Sequence, residues 1–232
     1  MKKTLIALTL GAAASFSALA SPTKPITLVV PFPPGGSTDL IARQLASKLP
    51  EKLGGATVVV DNKAGATGTI GAGLVARAPA DGHTLLVSSL GPFVIAPHLI
   101  KAPYDALKDF DTITVAVQAP NVLVVPANSP HKNMAGVIAF LKANPDKMTF
   151  ASSGNGSSDH LTAELFWLQT GTTGIHVPYK GGGPVMTDLL GAQVDSSFMN
   201  INTAMPQILA GKLRPLSITS AKRSPLLPNV PS

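Results

Sequence analysis

From Ile26 onward one pattern recurs: a short β-branched or aliphatic run, then a loop of Gly, Ser, Pro or Asn, then a helical stretch. A chain written this way folds as α/β, because each strand is followed by a helix that must pack back on the sheet. The spacing predicts a strand over Ile26–Pro31, a loop through Phe32-Pro33-Pro34-Gly35-Gly36-Ser37, and a helix over Thr38–Leu49 whose buried face is Ile41, Leu45 and Leu49. Thr57–Val60 predicts a second strand. The glycines Gly65, Gly68, Gly71 and Gly73 then lead to a small-residue helix over Leu74–Arg77, where they most simply serve tight turns and close packing. Further strands are expected at Thr84–Ser88, Val122–Pro126, Met148–Ala151, His176–Tyr179, Ser196–Asn200 and Leu213–Thr219, with helices at Met134–Ala143 and Asp159–Gln169 and a helix start over residues 180–184. So many units in succession imply two mostly parallel sheets with helices on both faces. The weakly patterned stretch Lys101–Val117 is expected to join them.

Lys2 and Lys3, followed by an apolar run from Leu5 that closes on Ala18-Leu19-Ala20, read as a signal peptide over residues 1–20 with cleavage before Ser21. The run falls short of the ~20 residues of a spanning helix, so a free periplasmic protein is expected. The chain has no cysteine, which excludes disulfides, thiolate nucleophiles and cysteine zinc sites together. Loss of Lys2 and Lys3 lowers the formal charge from +6 to +4. Lys and Arg are scattered with few aromatics between them, which argues against nucleic acid. A modest positive field suits small anions.

Two loops carry the candidate chemistry. The first, Pro33 to Asp39, sets Gly35, Gly36, Ser37 and Thr38 between a strand and a helix, where unpaired N–H groups and the positive helix end suit a carboxylate. An ordinary turn in which Ser37 or Thr38 caps the helix has the same composition. The second loop, Ser152 to Ser158, repeats those residue types ahead of the next helix, and two facing sheets would bring both loops to one cleft. Ser88 and Ser89 end the third strand and are candidates for the same cleft, while Phe32 and Tyr179 adjoin glycine loops and are candidates to cover a ligand's apolar part. Enzyme signatures are weak. No Lys-Ser/Thr follows the glycines of the first loop, and Asp39 stands where a hydrolase elbow needs glycine. His160 and Glu164 share a helix face without the further ligands zinc requires. Gly71-x-Gly73-x-x-Ala76 lies too far from its strand for a dinucleotide turn, and Trp167 reads as core packing.

Three blocks, Ile26 to Asp39, Ala151 to Ser157 and His176-Val177-Pro178-Tyr179-Lys180-Gly181-Gly182, resemble the signature segments of the Bug/TctC extracytoplasmic solute receptors, in order and across nearly all of the chain after the export signal. The resemblance implies a type II periplasmic binding-protein (Venus flytrap) fold, with lobe 1 over residues 21–120 rejoined by 216–232 and lobe 2 over 121–215. It implies a small di- or tricarboxylate gripped by Phe32, Gly35, Gly36, Ser37, Thr38 and Asp39 and by Ser152, Ser153, Gly154 and Gly156, with Asn200 near its far end. The implied partners are a large and a small transporter membrane subunit; the chain is expected to act as a monomer, without cofactor, metal or enzymatic activity. Two departures stand out. Phe198-Met199-Asn200 lacks the acid that many members carry before the asparagine, and members continue past the stretch 224–231. The chain is therefore expected to resemble a member shortened at its C-terminus, with lobe 1 incomplete and apolar surface uncovered. Alternative readings are a receptor that signals to a sensor kinase, and a periplasmic α/β enzyme acting on carboxylates.

Overall fold

The computed structural model describes residues 24–232; residues 1–20, expected to be a signal peptide, lie outside the described residues. Strand β1 (Ile26–Val30) runs parallel between β2 (Val58–Asn62) and β3 (Thr84–Leu86), in register Ile26 to Val58 and Thr27 to Thr84. As the central strand it buries Leu28, Val29 and Val30 almost completely. Helix α1 (Ser37–Lys52) follows β1, with Asp39 in its first turn and Lys52 in its last, as the helix dipole favours. Its expected buried face is only half-buried at Ile41, Leu45 and Leu49, and the fully buried positions are Asp39 and Ala42. The helix lies over β2, an edge strand whose own residues are partly open, so the apolar stripe has a thin partner. Helix α2 (Thr69–Ala76) follows β2 after a short turn at Ala66–Gly68. Beyond β3 a turn at Gly91–Ile95 passes into the four-residue α3 (Ala96–Leu99).

Residues 101–120 carry the chain to the second sheet without regular structure. Their first part is pinned by an aromatic cluster: the Phe93 and Phe110 rings meet edge-on at 5.1 Å, and the Tyr104 hydroxyl donates to the Pro92 carbonyl at 2.6 Å. Further along, Ile113 and Val115 are largely exposed, as are Ile70, Leu90 and Val94 around the first sheet.

The second sheet comprises β4 (Asn121–Pro126), β5 (Thr149–Ser152), β6 (Ile175–Pro178), β7 (Ser197–Asn200) and β8 (Leu213–Ile218), with helices α4 (Met134–Ala143), α5 (Ser158–Thr170), α6 (Gly182–Leu190) and α7 (Ile201–Leu209). β4 pairs with β7 on one side and β8 on the other, antiparallel to both, while β5 and β6 pair in parallel. Ala151 N–H donates to the Ser196 carbonyl at 2.8 Å and a parallel Phe150–Ser196 bridge joins β5 to β7, which makes the spatial order β6-β5-β7-β4-β8. The sheet is therefore mixed, which corrects the expectation of two mostly parallel sheets. Helical crossovers return β6, β7 and β8 parallel to one another, but β4 arrives through an irregular segment that imposes no such direction.

Every residue of β4 is buried, and alternation sends its side chains to two cores. Val122 and Val124 join Leu189, Met199, Ile201, Leu213 and Ile218 under α6 and α7. Leu123 and Val125 join Leu141, Phe150, Phe166, Trp167 and Phe198 under α4 and α5. Trp167 meets Phe150 edge-on at 5.1 Å. The C-terminal stretch, expected to rejoin lobe 1, stays with this sheet instead. Ile218 pairs with Val122, its N–H donates to the Pro231 carbonyl at 2.9 Å, and Leu227 and Val230 are buried in the α6/α7 core. Burial of those two side chains fixes the stretch here. Helix α7 was not expected from the pattern because Pro206 lies inside it and Asn200 begins it. Among the described residues no helix is long and apolar enough to cross a membrane.

Candidate ligand-binding site

A cavity of about 720 Å³ opens between the two sheets, where the loops that leave β1, β2, β3, β5, β6 and β7 meet. All of these loops sit at the carboxyl ends of their strands, where α/β sheets place ligands.

The loop after β1 is held by a buried acid. One oxygen of Asp39 accepts from the Gly35 N–H and from Arg43 Nε, both at 2.9 Å, and the other accepts from Asn62 Nδ2 at 3.0 Å. Asn62 Nδ2 also reaches the Phe32 carbonyl at 2.9 Å. Burial pushes the Asp39 carboxyl up, but hydrogen bonds from Arg43, Gly35 and Asn62 outweigh it and hold the group below the usual carboxylate range. Helix α1 is capped by Gly36, which offers no side chain, so the N–H groups of its first turn are left for a ligand. Neither Ser37 nor Thr38 is the cap.

The loop after β5 uses the same device. Asp159 accepts from the Ser153 N–H at 2.6 Å and from the Ser153 hydroxyl at 2.8 Å. Ser157 caps α5 and donates to the Gly154 carbonyl at 2.6 Å. Ser37-Thr38-Asp39 and Ser157-Ser158-Asp159 thus share a pattern, two hydroxyl residues and then an acid folded back on the preceding loop, set one position apart in helix register because Gly36 caps α1 and Ser157 caps α5.

The loop after β6 packs on the loop after β1, glycine against glycine. A Cβ on Gly183 would stand 2.7 Å from the Pro34 carbonyl oxygen, one on Gly181 2.7 Å from the Pro33 ring, and one on Gly182 3.5 Å from Gly36 Cα. Tyr179 donates its hydroxyl to Asp188 at 2.5 Å. Burial and that carboxylate push its pKa up to about 12, so the phenol stays neutral and the hydroxyl is committed to Asp188. Two hydrogen bonds cross the cavity, from Ser37 Oγ to Asn200 Oδ1 at 3.1 Å and from Thr67 Oγ1 to the Asn155 carbonyl at 3.2 Å. Thr67 belongs to a turn in which Gly65, Ala66, Thr67 and Gly68 all have positive φ, a costly backbone for Ala and Thr that the crossing bond helps to hold.

Five helix N-termini converge here. The N-cap residues of α1, α2, α5, α6 and α7, namely Gly36, Gly68, Ser157, Gly181 and Asn200, all line the cavity. Each helix end carries roughly half a positive charge. Only two charged side chains reach the lining among the described residues: Asp159, engaged by Ser153, and Lys180, exposed and in no ion pair. The field in the cavity favours an anion.

The profile of the tripartite tricarboxylate transporter family receptors matches residues 41–232. The chain belongs to this TctC receptor family. BugT of Bordetella pertussis is 42% identical over 97% of the chain and 69% of its own length. A solved R. palustris protein with adipate is 36% identical, covers 91% of the chain and 71% of its own, and superposes with a TM-score of 0.84. MatC of Rhodopseudomonas palustris, solved with bound malate, is 32% identical over 91% of the chain and 72% of its own, with a TM-score of 0.83. The fold is thus the mixed α/β fold of periplasmic binding proteins, within a family of solute-binding receptors. The receptor chain spans 61% to 69% of the length of curated relatives that it matches over at least nine-tenths of itself.

Of the residues expected in the receptor's site, Phe32, Gly36, Ser37, Thr38, Ser89, Ser153, Gly154, Tyr179 and Asn200 line the cavity. Gly35, Asp39, Ser88, Ser152 and Gly156 do not, and the structure shows other work for them. Asp39 ties the first loop, Gly35 packs on Gly183, and the Ser88 hydroxyl turns to the Ser89 carbonyl at 3.3 Å. Gly156 faces Ile95 and Leu99, and Ser152 is buried with its hydroxyl 2.6 Å from His176 Nε2. That Ser–His distance is one a nucleophile and base would show. Yet Ser152 is 1% exposed and off the cavity lining, and the other face of the pair is taken by His160, stacked on His176 at 3.9 Å. Ala64 to Gly68, Gly91, Lys180 and Thr203 were not expected at the cavity, while Asn155 belongs to the expected second loop without having been singled out. The repeated hydroxyl-hydroxyl-Asp signal was available in the sequence; the lining role of the Gly65 turn was not.

Proposed function

We propose that this chain captures a small organic carboxylate between two lobes, divided near residue 120, and delivers it to the membrane subunits of a tripartite tricarboxylate transporter from the periplasm. The convergence of five helix N-termini on one cavity, whose lining holds a single unpaired cation among the described residues, carries the reading. Adipate and malate in the two solved relatives support a carboxylate as the ligand. Backbone N–H groups of α1 and α6, the Thr38 hydroxyl and the Ser153–Asn155 loop would grip one carboxylate, and the Phe32 and Tyr179 rings would cover the carbon chain. A thermal-shift screen of mono-, di- and tricarboxylates against their amides tests it. Ligand at a hundred times its Kd adds roughly 2.7 kcal/mol, or about 5–11 °C. The double variant Ser37→Ala with Thr38→Ala is expected to weaken binding by about 2–4 kcal/mol, through one charge-assisted bond and the crossing bond to Asn200. Equal shifts by acids and amides, or unchanged affinity in the double variant, would sink the proposal.

Lys180 deepens this reading. Its ammonium is the group available for a second negative charge, so Lys180→Ala is expected to cost dicarboxylates roughly tenfold in affinity and monocarboxylates little. Calorimetry on both ligand classes reads the difference; equal losses would place Lys180 on the shared carboxylate.

A further inference from the structure

The contact across the cavity depends on the peptide around Gly156. The Asn155 carbonyl accepts from Thr67, and a Cβ on Gly156 would stand 3.0 Å from both Ile95 and Leu99, so the β5–α5 loop is seated directly against the first sheet's elements. What holds it there is an imidazole: the Gly156 N–H donates to His160 Nδ1 at 3.0 Å. A ring nitrogen accepts only when it carries no proton. The other nitrogen, Nε2, faces Glu164 at 3.4 Å, which assigns the ring proton to that side.

His160 does not stand alone. Its ring lies on His176 at 3.9 Å with the planes 23° apart, and His176 Nε2 is 2.6 Å from Ser152 Oγ, which accepts from the Gly154 N–H at 3.2 Å. Both ends of the loop therefore hang on one stack of two rings. The charged groups around it are Glu164 and Asp159 on α5, the latter engaged by Ser153, and each histidine faces the other. Two imidazolium ions at this separation would repel. Burial first, and His160 second, hold His176 below the usual histidine range against the pull of Glu164 and Asp159. With a folded pKa below the unfolded value, the stabilisation from a neutral His176 is present above about pH 6.5 and is lost as pH falls through the folded value.

We propose that His160 is a positioning residue for the cavity: neutral, it seats the Asn155–Gly156 peptide against the first sheet's elements, and protonated at Nδ1 it sets a donor against a donor and releases the loop. The receptor then loosens its closure as the medium acidifies. The consequence for ligand affinity rests on the carboxylate-receptor reading; the release of the loop does not.

The test therefore needs no ligand. In the full ¹⁵N-labelled chain, two-bond imidazole spectra report whether the His160 ring carries one proton or two across a pH series, while the exchange protection factor of the Gly156 amide reports the loop. Protection is expected to fall about tenfold as the His160 ring gains its second proton, the worth of one hydrogen bond. In His160→Asn the amide oxygen can occupy the place of Nδ1 without titrating, and protection is expected to stay level. A Gly156 protection factor that ignores the titration, a His160 ring that stays neutral throughout, or an identical pH profile in His160→Asn overturns the proposal. If the variant does not fold, the first two outcomes in the wild type still decide. A chain that shows the release but binds no carboxylate at pH 7.5 would sink the receptor reading alone.

Discussion

Asp39→Ala is expected to lower the melting temperature by roughly 4–16 °C and to abolish measurable carboxylate binding at ligand concentrations that saturate the wild type. The carboxylate is 2% exposed and ties three donors from separate parts of the chain: the Gly35 N–H in the loop, Arg43 one turn along α1, and Asn62 at the end of β2. Hydrogen bonds to a charged group contribute about 1.5–3 kcal/mol each, but the Arg43 side chain is half exposed and regains water, so the net cost is about 2–4 kcal/mol. At about 2–4 °C per kcal/mol for a chain of this size, the temperature range follows. Binding suffers more than stability, because Asn62 also fixes the Phe32 carbonyl and the whole loop presents the α1 N-terminus. The same group gives an acid signature. Its folded pKa is lowered, so its stabilisation is complete above the unfolded value near 3.9 and is lost as pH falls through the folded value. Acid unfolding followed by circular dichroism should lose that component in Asp39→Ala. An unchanged melting temperature would show that the loop holds without its acid.

Gly183→Ala and Gly182→Ala form a pair whose outcomes should diverge although the positions are adjacent. Neither glycine has the positive φ that would strain alanine, so space alone decides. At Gly183 the new methyl would stand 2.7 Å from the backbone oxygen of Pro34, and backbone cannot swing aside as a side chain can. The start of α6 and the β1–α1 loop must part, at about 1–3 kcal/mol for an overpacked contact. The parted helix ends no longer share one carboxylate, so affinity is expected to fall by at least tenfold. At Gly182 the methyl meets Gly36 Cα at 3.5 Å, an ordinary contact, and the melting temperature should barely move. Melting curves and calorimetry on both variants read this directly; equal behaviour would mean that the two loops do not rely on close approach.

Periodicity carried most of the elements. Met134–Ala143 emerges at the expected residues, and the strands at Val122, Met148, His176, Ser196 and Leu213 fall within a residue or two of expectation. Local chemistry explains this: a short β-branched run beside a glycine turn has few other structures open to it. Helix α7 escaped because Pro206 reads as a breaker, although the α6/α7 core is what secures the helix. The site was half legible for a related reason. Ser37 and Thr38 announce a helix start by residue type, and the loop from Ser153 to Ser157 announces the next; helix starts are where anions bind. Lys180 and Thr67 announce nothing, since a lysine or a threonine beside glycines is usually a solvated loop residue.

The amino-acid order alone determined that this chain alternates strands with helices and opens those helices with bare or hydroxyl-bearing caps, because both properties are set within a few residues. Only the tertiary structure decided that β4 runs against its neighbours, that residues 219–232 close the second sheet's core, and that five separate helix ends face one cavity. It also decided what Asp39 does: in a linear string it looks like a ligand group, and packing turns it back on its own loop. Direction, core membership and facing are relations between segments far apart in the chain, and they are settled by which apolar surfaces bury together.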